Sequence, residues 1–190
     1  MRKIIFLMHV TLDGYVAGPN GEMDWITYNE EVAQYSHDLH ATTDAAIYGR
    51  VTYEMMAGYW PTVLSNPDSD PGDRSHALWL EDATKIVVSR TLQNPTWDKT
   101  VVIGHNLRDE MLKIKQQPGK DLWLLGSPTL ARSLMELGLI DEYRLNVNPV
   151  VLGGGKSLFG GLNITLRLNL LETKTFSGGV VALRYAPVEG

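Results

Sequence analysis

Leu122-Trp123-Leu124-Leu125-Gly126-Ser127-Pro128-Thr129-Leu130 is the stretch that decides the fold. Leu122–Leu125 is a short apolar run without alternation, which reads as a strand covered on both faces. Gly126 turns the chain, Ser127 stands where an N-cap belongs, and Pro128 takes the first helical position. Leu130, Leu134 and Leu137 then share one helix face, and Gly138 closes the helix. A buried strand that runs through a tight tip into a helix is the opening of a parallel crossover unit.

The same pattern extends in both directions. Ile4–Met8 is a second buried run, and Asp13-Gly14 and Pro19-Asn20-Gly21 mark turns, so a loop reaches Trp25. Thr27 and Glu30 have capping-box spacing ahead of Val32, Tyr35 and Leu39, which recur at helical intervals. Ala45–Tyr48 reads as a strand and Val51–Met56 as a short helix. Gly58–Ala83, with Pro61, Pro67 and Pro71, reads as a long excursion carrying a short helix near Ala77–Leu80. Lys85–Ser89 and Val101–Ile103 are strands, and Asn106 caps a helix bearing Leu107, Met111 and Ile114. Tyr143, Leu145 and Val147 alternate with Arg144, Asn146 and Asn148, which predicts a half-buried strand. Ile164, Leu166, Leu168 and Leu170 alternate likewise, and Val180–Tyr185 is the last strand. The order predicts an α/β fold with a mostly parallel central sheet, antiparallel strands at its C-terminal end and helices on both faces. One domain over residues 1–190 fits the length.

Composition narrows the function. The 190 residues are 44% hydrophobic and contain no cysteine, which excludes disulfides, thiolate nucleophiles and thiolate metal sites. Seventeen Lys and Arg against 22 Asp and Glu leave a formal charge of −5, which argues against nucleic acid as partner. The apolar run Ile4–Met8 is too short for a membrane span or a secretion signal, so a soluble cytoplasmic protein is expected.

In open α/β sheets ligands bind beyond the carboxyl ends of the strands. Three tips there share a character: Gly49-Arg50-Val51-Thr52, Ser89-Arg90-Thr91 and Gly126-Ser127-Pro128-Thr129. Each joins small or hydroxyl residues to free backbone N–H groups, and two supply an arginine that can fork onto a phosphate. Helix N-termini add their dipoles and unpaired N–H groups. Together they suit a ligand with several phosphates, such as a dinucleotide. Gly153-Gly154-Gly155-Lys156-Ser157 is not a P-loop, because Val150 occupies the position of its first glycine. It reads instead as a flexible turn that approaches a ligand closely. His37 and His40 lie one helical turn apart, but with no third ligand in sight they read as a polar helix face, and no metal is expected.

Taken in order, these motifs resemble the dihydrofolate-reductase-like superfamily, and within it the riboflavin-biosynthesis reductase domain. The likeness also runs through Leu12-Asp13-Gly14-Tyr15-Val16-Ala17, Asp24-Trp25-Ile26, Gly138-Leu139-Ile140-Asp141-Glu142 and Pro149–Lys156. It implies the dihydrofolate-reductase-like three-layer fold and an NADPH-dependent reductase of a small heterocycle, by direct hydride transfer. By the same resemblance, Gly49, Arg50, Thr52, Ser89, Arg90 and Thr91 would hold the 2′-phosphate and pyrophosphate of NADPH. Gly126, Ser127, Thr129 and Leu130 would cover its pyrophosphate and nicotinamide, with Trp25 beside the ring. Asp13, Leu125, Gly153 and Gly155 would face substrate, and Asp13 or Glu30 would relay the proton. Relatives in this superfamily pair as homodimers through the C-terminal strands, which implies a homodimer here. The riboflavin reductases carry a glutamate directly before the Gly126 position; Leu125 stands there instead, which points to a different substrate. Two other readings stay open: a nucleotide-binding protein without turnover, and a structural module in which Tyr143–Asn148 pairs across a two-fold.

Overall fold

The computed structural model describes residues 1–188. The last two residues of the expected domain lie outside them. The elements run β1 (Ile4–Thr11), β2 (Tyr15–Ala17), α1 (Glu30–His37), α2 (Leu39–Thr42), β3 (Thr43–Gly49), α3 (Arg50–Ser65), α4 (Pro71–Asp82), β4 (Thr84–Val88) and β5 (Thr100–Ile103). They continue with α5 (Leu107–Gln116), β6 (Asp121–Leu125), α6 (Pro128–Glu136), β7 (Glu142–Asn148), β8 (Lys156–Ser157), β9 (Leu168–Thr175) and β10 (Val181–Pro187).

Eight strands form one sheet in the order β5-β4-β3-β6-β1-β7-β10-β9. The first six are parallel; β10 and then β9 are added antiparallel. β1 lies near the middle, with Phe6 opposite Leu124 on one side and Tyr143 on the other. Its two faces feed different cores. Ile4, Phe6, Met8 and Val10 pack with Met111 of α5 and Leu130 and Leu134 of α6. Ile5 and Leu7 face the opposite way, onto Leu39 and Trp123, while Tyr53 of α3 and Leu80 of α4 cover β3 and β4 on that same side. The result is the three-layer dihydrofolate-reductase-like fold.

Five local expectations need correction. The region after Gly58 is helical almost throughout, since α3 runs to Ser65 with Pro61 inside it and α4 starts at Pro71. Pro71 opens a helix rather than breaking one: Asp70 caps it, its carboxylate accepting from the N–H groups of Gly72 and Asp73. The cap of α1 is Asn29, whose side chain accepts from the N–H of Val32, so Thr27 and Glu30 form no capping box and Glu30 sits in the exposed first turn. β7 is not half-buried, because neighbours flank both its edges and both its faces are covered; Asn146 and Asn148 are fully buried. That position also removes the two-fold pairing of Tyr143–Asn148. Finally, β9 begins only at Leu168, so Ile164 and Leu166 lie before it.

Candidate functional site

The carboxyl ends of the parallel strands open onto a cavity of about 780 Å³. Gly49, Arg50 and Thr52 come to it from the β3–α3 tip, Ser89 and Arg90 from β4, and Ser127, Thr129 and Leu130 from the β6–α6 tip. The three tips that the sequence singled out therefore meet. Two are tied directly: the Ser127 hydroxyl accepts from the Gly49 N–H at 2.9 Å. Ser127 thus stands at the N-cap position of α6 without capping it, and its side chain joins two strands' ends instead. Gly126 and Ser127 both have left-handed backbone, φ 57° and 54°, a conformation that a non-glycine residue holds at a cost. At Gly126 a methyl group would also press within 3.4 Å of Thr52 Cγ2.

The helix ends at this cavity share a start without a side-chain cap, as does the four-residue α2 elsewhere. α3, α5 and α6 all begin at its rim, and none has a side chain capping its first N–H groups. α1 and α4 open away from it, and both are capped by side chains. Uncapped N–H groups with a positive dipole end attract anions. Arg50, Arg90 and Lys156 add charge, and no carboxylate lines the cavity among the described residues. Arg50 is already paired with Glu54 at 2.8 Å, one turn on and half-exposed, whereas Arg90 extends into solvent. The Ser89 hydroxyl accepts from the N–H groups of Thr91 and Leu92 and shapes its own turn.

Sequence reasoning missed Gly104, His105 and Asn106, which line the same cavity after β5. Asn106 stands at the expected cap position of α5, yet it has left-handed backbone, φ 51°, and caps nothing with its side chain. The strand-end rule that found the other tips applies equally here. Ser133 of α6 and Lys156 of β8 complete the lining. Trp25, Thr91, Gly126, Leu125, Asp13, Gly153 and Gly155 lie outside it.

Asp13 sits in the turn after β1. Its carboxylate accepts from the Thr11 hydroxyl at 2.6 Å, the Gly153 N–H at 2.7 Å and the Leu152 N–H at 3.3 Å. These bonds, that from Thr11 foremost, hold its pKa below the usual carboxylate range, so it is ionised at neutral pH. Gly155 is not a free flexible turn. A Cβ there would stand 2.2 Å from the Ala17 carbonyl, so only glycine lets β8 close on β2. Trp25 donates its indole N–H to the Glu22 carbonyl.

On the sheet face away from α5 and α6, His9 of β1 lies opposite Asn146 of β7. His9 Nδ1 and both amide atoms of Asn146 are buried without a hydrogen-bond partner. The Tyr28 ring meets His9 edge-on at 5.9 Å between centroids. Burial pushes the His9 pKa down from 6.5 to about 4. The unfolded chain therefore binds this proton first, so the stability contribution is full above about pH 6.5 and falls as the pH drops toward 4. The urea midpoint of the wild type is expected to fall over that interval, and that of His9→Gln to fall less. Parallel slopes for the two would contradict the assignment.

The fold, with its cavity at the strand ends, is of the dihydrofolate-reductase-like class. The chain belongs to the RibD C-terminal domain family, whose sequence model matches residues 2–182. It is similar to the protein YyaP of Bacillus subtilis, at 38% identity over 97% of this chain and 94% of that one. It is also similar to the riboflavin biosynthesis protein RibD of Aquifex aeolicus, at 25% identity over 81% of this chain but only 48% of RibD. Among solved structures, one from Shewanella named for riboflavin biosynthesis superposes with TM-score 0.79 at 23% identity, covering 98% of this chain and 99% of that one. The dihydrofolate reductase of Enterococcus faecalis, complexed with NADP(H), gives 0.64 at 13% identity over 98% and 97%. These two likenesses are of fold. Among the described residues no helix is long and apolar enough to cross a membrane.

Proposed function

We propose that the protein is an NADPH-dependent reductase of a small heterocycle of pterin, flavin or ribosylaminopyrimidine type. The observation that carries this reading is the cavity rim: three uncapped helix N-termini, three cationic side chains and no carboxylate, built at the strand ends of a reductase fold. NADPH, when bound, supplies a hydride to an electrophilic C=N or C=O carbon.

The chain's own residues bind and orient. Arg90, Ser89 and Thr91, with Arg50, Thr52 and His105, take the 2′-phosphate end. Gly49, Gly126, Ser127, Thr129 and Leu130 carry the pyrophosphate toward the nicotinamide, which Trp25 borders. Leu125 gives the substrate side an apolar floor where a glutamate would demand a polar group. The polar edge of a planar ring is what the unpartnered atoms of His9 and Asn146 lack. Asp13, already ionised, is a positioning residue: it fixes Leu152, Gly153 and, through the β2–β8 pair, Gly155 against the reacting centre. The test is oxidation of NADPH, followed by loss of its near-ultraviolet absorbance, with dihydrofolate, a pterin and a flavin as acceptors. Turnover with one of these supports the reading; binding without any turnover would leave only a nucleotide-binding protein.

Arg90→Ala is expected to weaken NADPH at least about tenfold and NADH little, since a charge-assisted contact to phosphate contributes about 1.5–3 kcal/mol. Isothermal titration with both cofactors checks this, and equal losses would place the 2′-phosphate elsewhere.

We further infer a two-fold dimer through the free edge at β9, where Leu170 and Leu171 are 56% and 51% exposed. An unpaired edge strand that exposes leucines is a liability that a partner removes. Light scattering should report twice the chain mass of 21.2 kDa at micromolar concentration, and Leu170→Lys should return it to the monomer value.

A further inference from the structure

Three histidines spread over the sequence converge on the sheet face opposite α5 and α6. His37 ends α1, His40 lies in α2 and His76 in α4. One ligating nitrogen from each lies within 4.8 Å of the others. The two outer rings are half-buried and His76 is buried, so the pair expected to form a polar helix face is drawn inward instead.

Their surroundings are specific. Among the described residues the one hydrogen bond these rings make is His40 Nε2 to His76 Nδ1, at 2.8 Å. His40 stacks on Trp79 at 5.1 Å, and Trp60 meets His76 edge-on at 4.5 Å, with Trp123 behind both imidazoles. Among the described residues the charged groups that act on His37 are Asp73, Asp38 and Asp70. An aromatic wall thus backs three imidazoles whose lone pairs are largely unused.

We propose that His37, His40 and His76 form a tris-histidine site for a divalent transition-metal ion of the zinc type, with water in a fourth position. Metal–nitrogen bonds of about 2.0–2.1 Å in a tetrahedron place the ligands roughly 3.3 Å apart. One ligating nitrogen from each ring already lies within 4.8 Å of the others, so side-chain movements on the order of 1–2 Å complete the site. Imidazole ligands without carboxylate or thiolate in the set select zinc, cobalt, nickel or copper over calcium and magnesium. The donors come from three helices, so the ion would clamp α1 and α2 to α4. This site shares no residue with the nucleotide cavity, and its test is separate from that of the reductase reading.

The experiment uses the full chain, purified without a histidine tag, stripped with a chelator and titrated with Co²⁺ and then Zn²⁺. One equivalent of Co²⁺ is expected to give the intense visible bands of a tetrahedral complex, which Zn²⁺ abolishes by displacement. At a hundredfold excess over Kd, Zn²⁺ should raise Tm by about 5–10 °C. His37→Ala, on the half-exposed ligand, spares the core and should weaken Co²⁺ at least about 100-fold, the upper end of what losing a mere outer-shell partner costs. His105→Ala, in the other cavity, should leave Co²⁺ affinity unchanged. Absence of the tetrahedral bands in the wild type, or equal Co²⁺ affinity in wild type and His37→Ala, would overturn the site. NADPH titration on the same samples reports on the nucleotide cavity independently.

Discussion

Asp13→Ala is expected to lower kcat/KM about 100-fold on whichever acceptor the oxidation assay identifies, while NADPH affinity changes little. The carboxylate gathers three donors, from Thr11, Leu152 and Gly153, and the Thr11 hydroxyl itself accepts from the Tyr15 N–H. Removing it releases Leu152 and Gly153, leaving the Pro149–Gly155 segment held at this end, among the described residues, only by the Leu12 N–H on the Val150 carbonyl at 2.9 Å. A displacement of about 1 Å at a reacting centre costs on the order of 100-fold. Asp13→Asn keeps an acceptor for Thr11 but can turn an N–H₂ donor toward the Gly153 N–H, so it should be impaired as well. The loss should fall on kcat at unchanged pH profile, because Asp13 stays ionised throughout the neutral range and donates no proton there. Glu30 is the contrast. It lies exposed in the first turn of α1, where Glu30→Gln costs about 0.3–1 kcal/mol of helix stability. Full turnover in Asp13→Ala beside a dead Glu30→Gln would reverse these roles and make the first-helix carboxylate the proton relay.

The second large effect is on stability. Glu142 begins β7 with its side chain 5% exposed, accepting from Arg144 Nε at 2.7 Å and from Arg184 Nε and Nη2 at 2.8 and 2.9 Å. Burial alone would raise its pKa, but the two guanidiniums win and hold it below the ordinary value. Glu142→Ala leaves both arginines without their shared anion. Breaking a buried pair costs about 3–5 kcal/mol. Arg184 is about one-third exposed and recovers some hydration, so the low end, about 3 kcal/mol, is expected. For a chain this size that lowers Tm by roughly 6–12 °C. Glu172→Ala removes only the outer partner of Arg184, at 3.5 Å, and should stay within about 1 kcal/mol of wild type. Calorimetry on both variants checks this, and a wild-type Tm for Glu142→Ala would mean the arginines re-solvate without cost.

What the sequence disclosed was local. A buried run, a small-residue tip and a helix start lie within a few residues of one another, so the Gly49, Ser89 and Gly126 tips could be found one at a time. The rule that ligands sit beyond strand ends then brought them together, as the structure does. What stayed hidden depends on distant contacts. Asn146 and Asn148 look solvent-facing by alternation, but α1 and β10 cover their strand. Prolines suggested a loop after Gly58, yet Pro61 sits inside a helix held by buried Tyr53 and Val63, and Pro71 occupies the position where a helix tolerates it. His76 lies 36 residues from His40, and no spacing rule predicts their contact. Lys156 comes to the cavity only because Gly155 lets β8 lie against β2.

The central claim, that the rim at the strand ends is a phosphate site for NADPH, is tested most directly by parallel calorimetric titration of the wild-type chain with NADPH and NADH. The account predicts one NADPH per chain, bound at least about tenfold more tightly than NADH, because Arg90 and Arg50 meet a 2′-phosphate that NADH lacks. Equal dissociation constants for the two, or no binding of either, would contradict it.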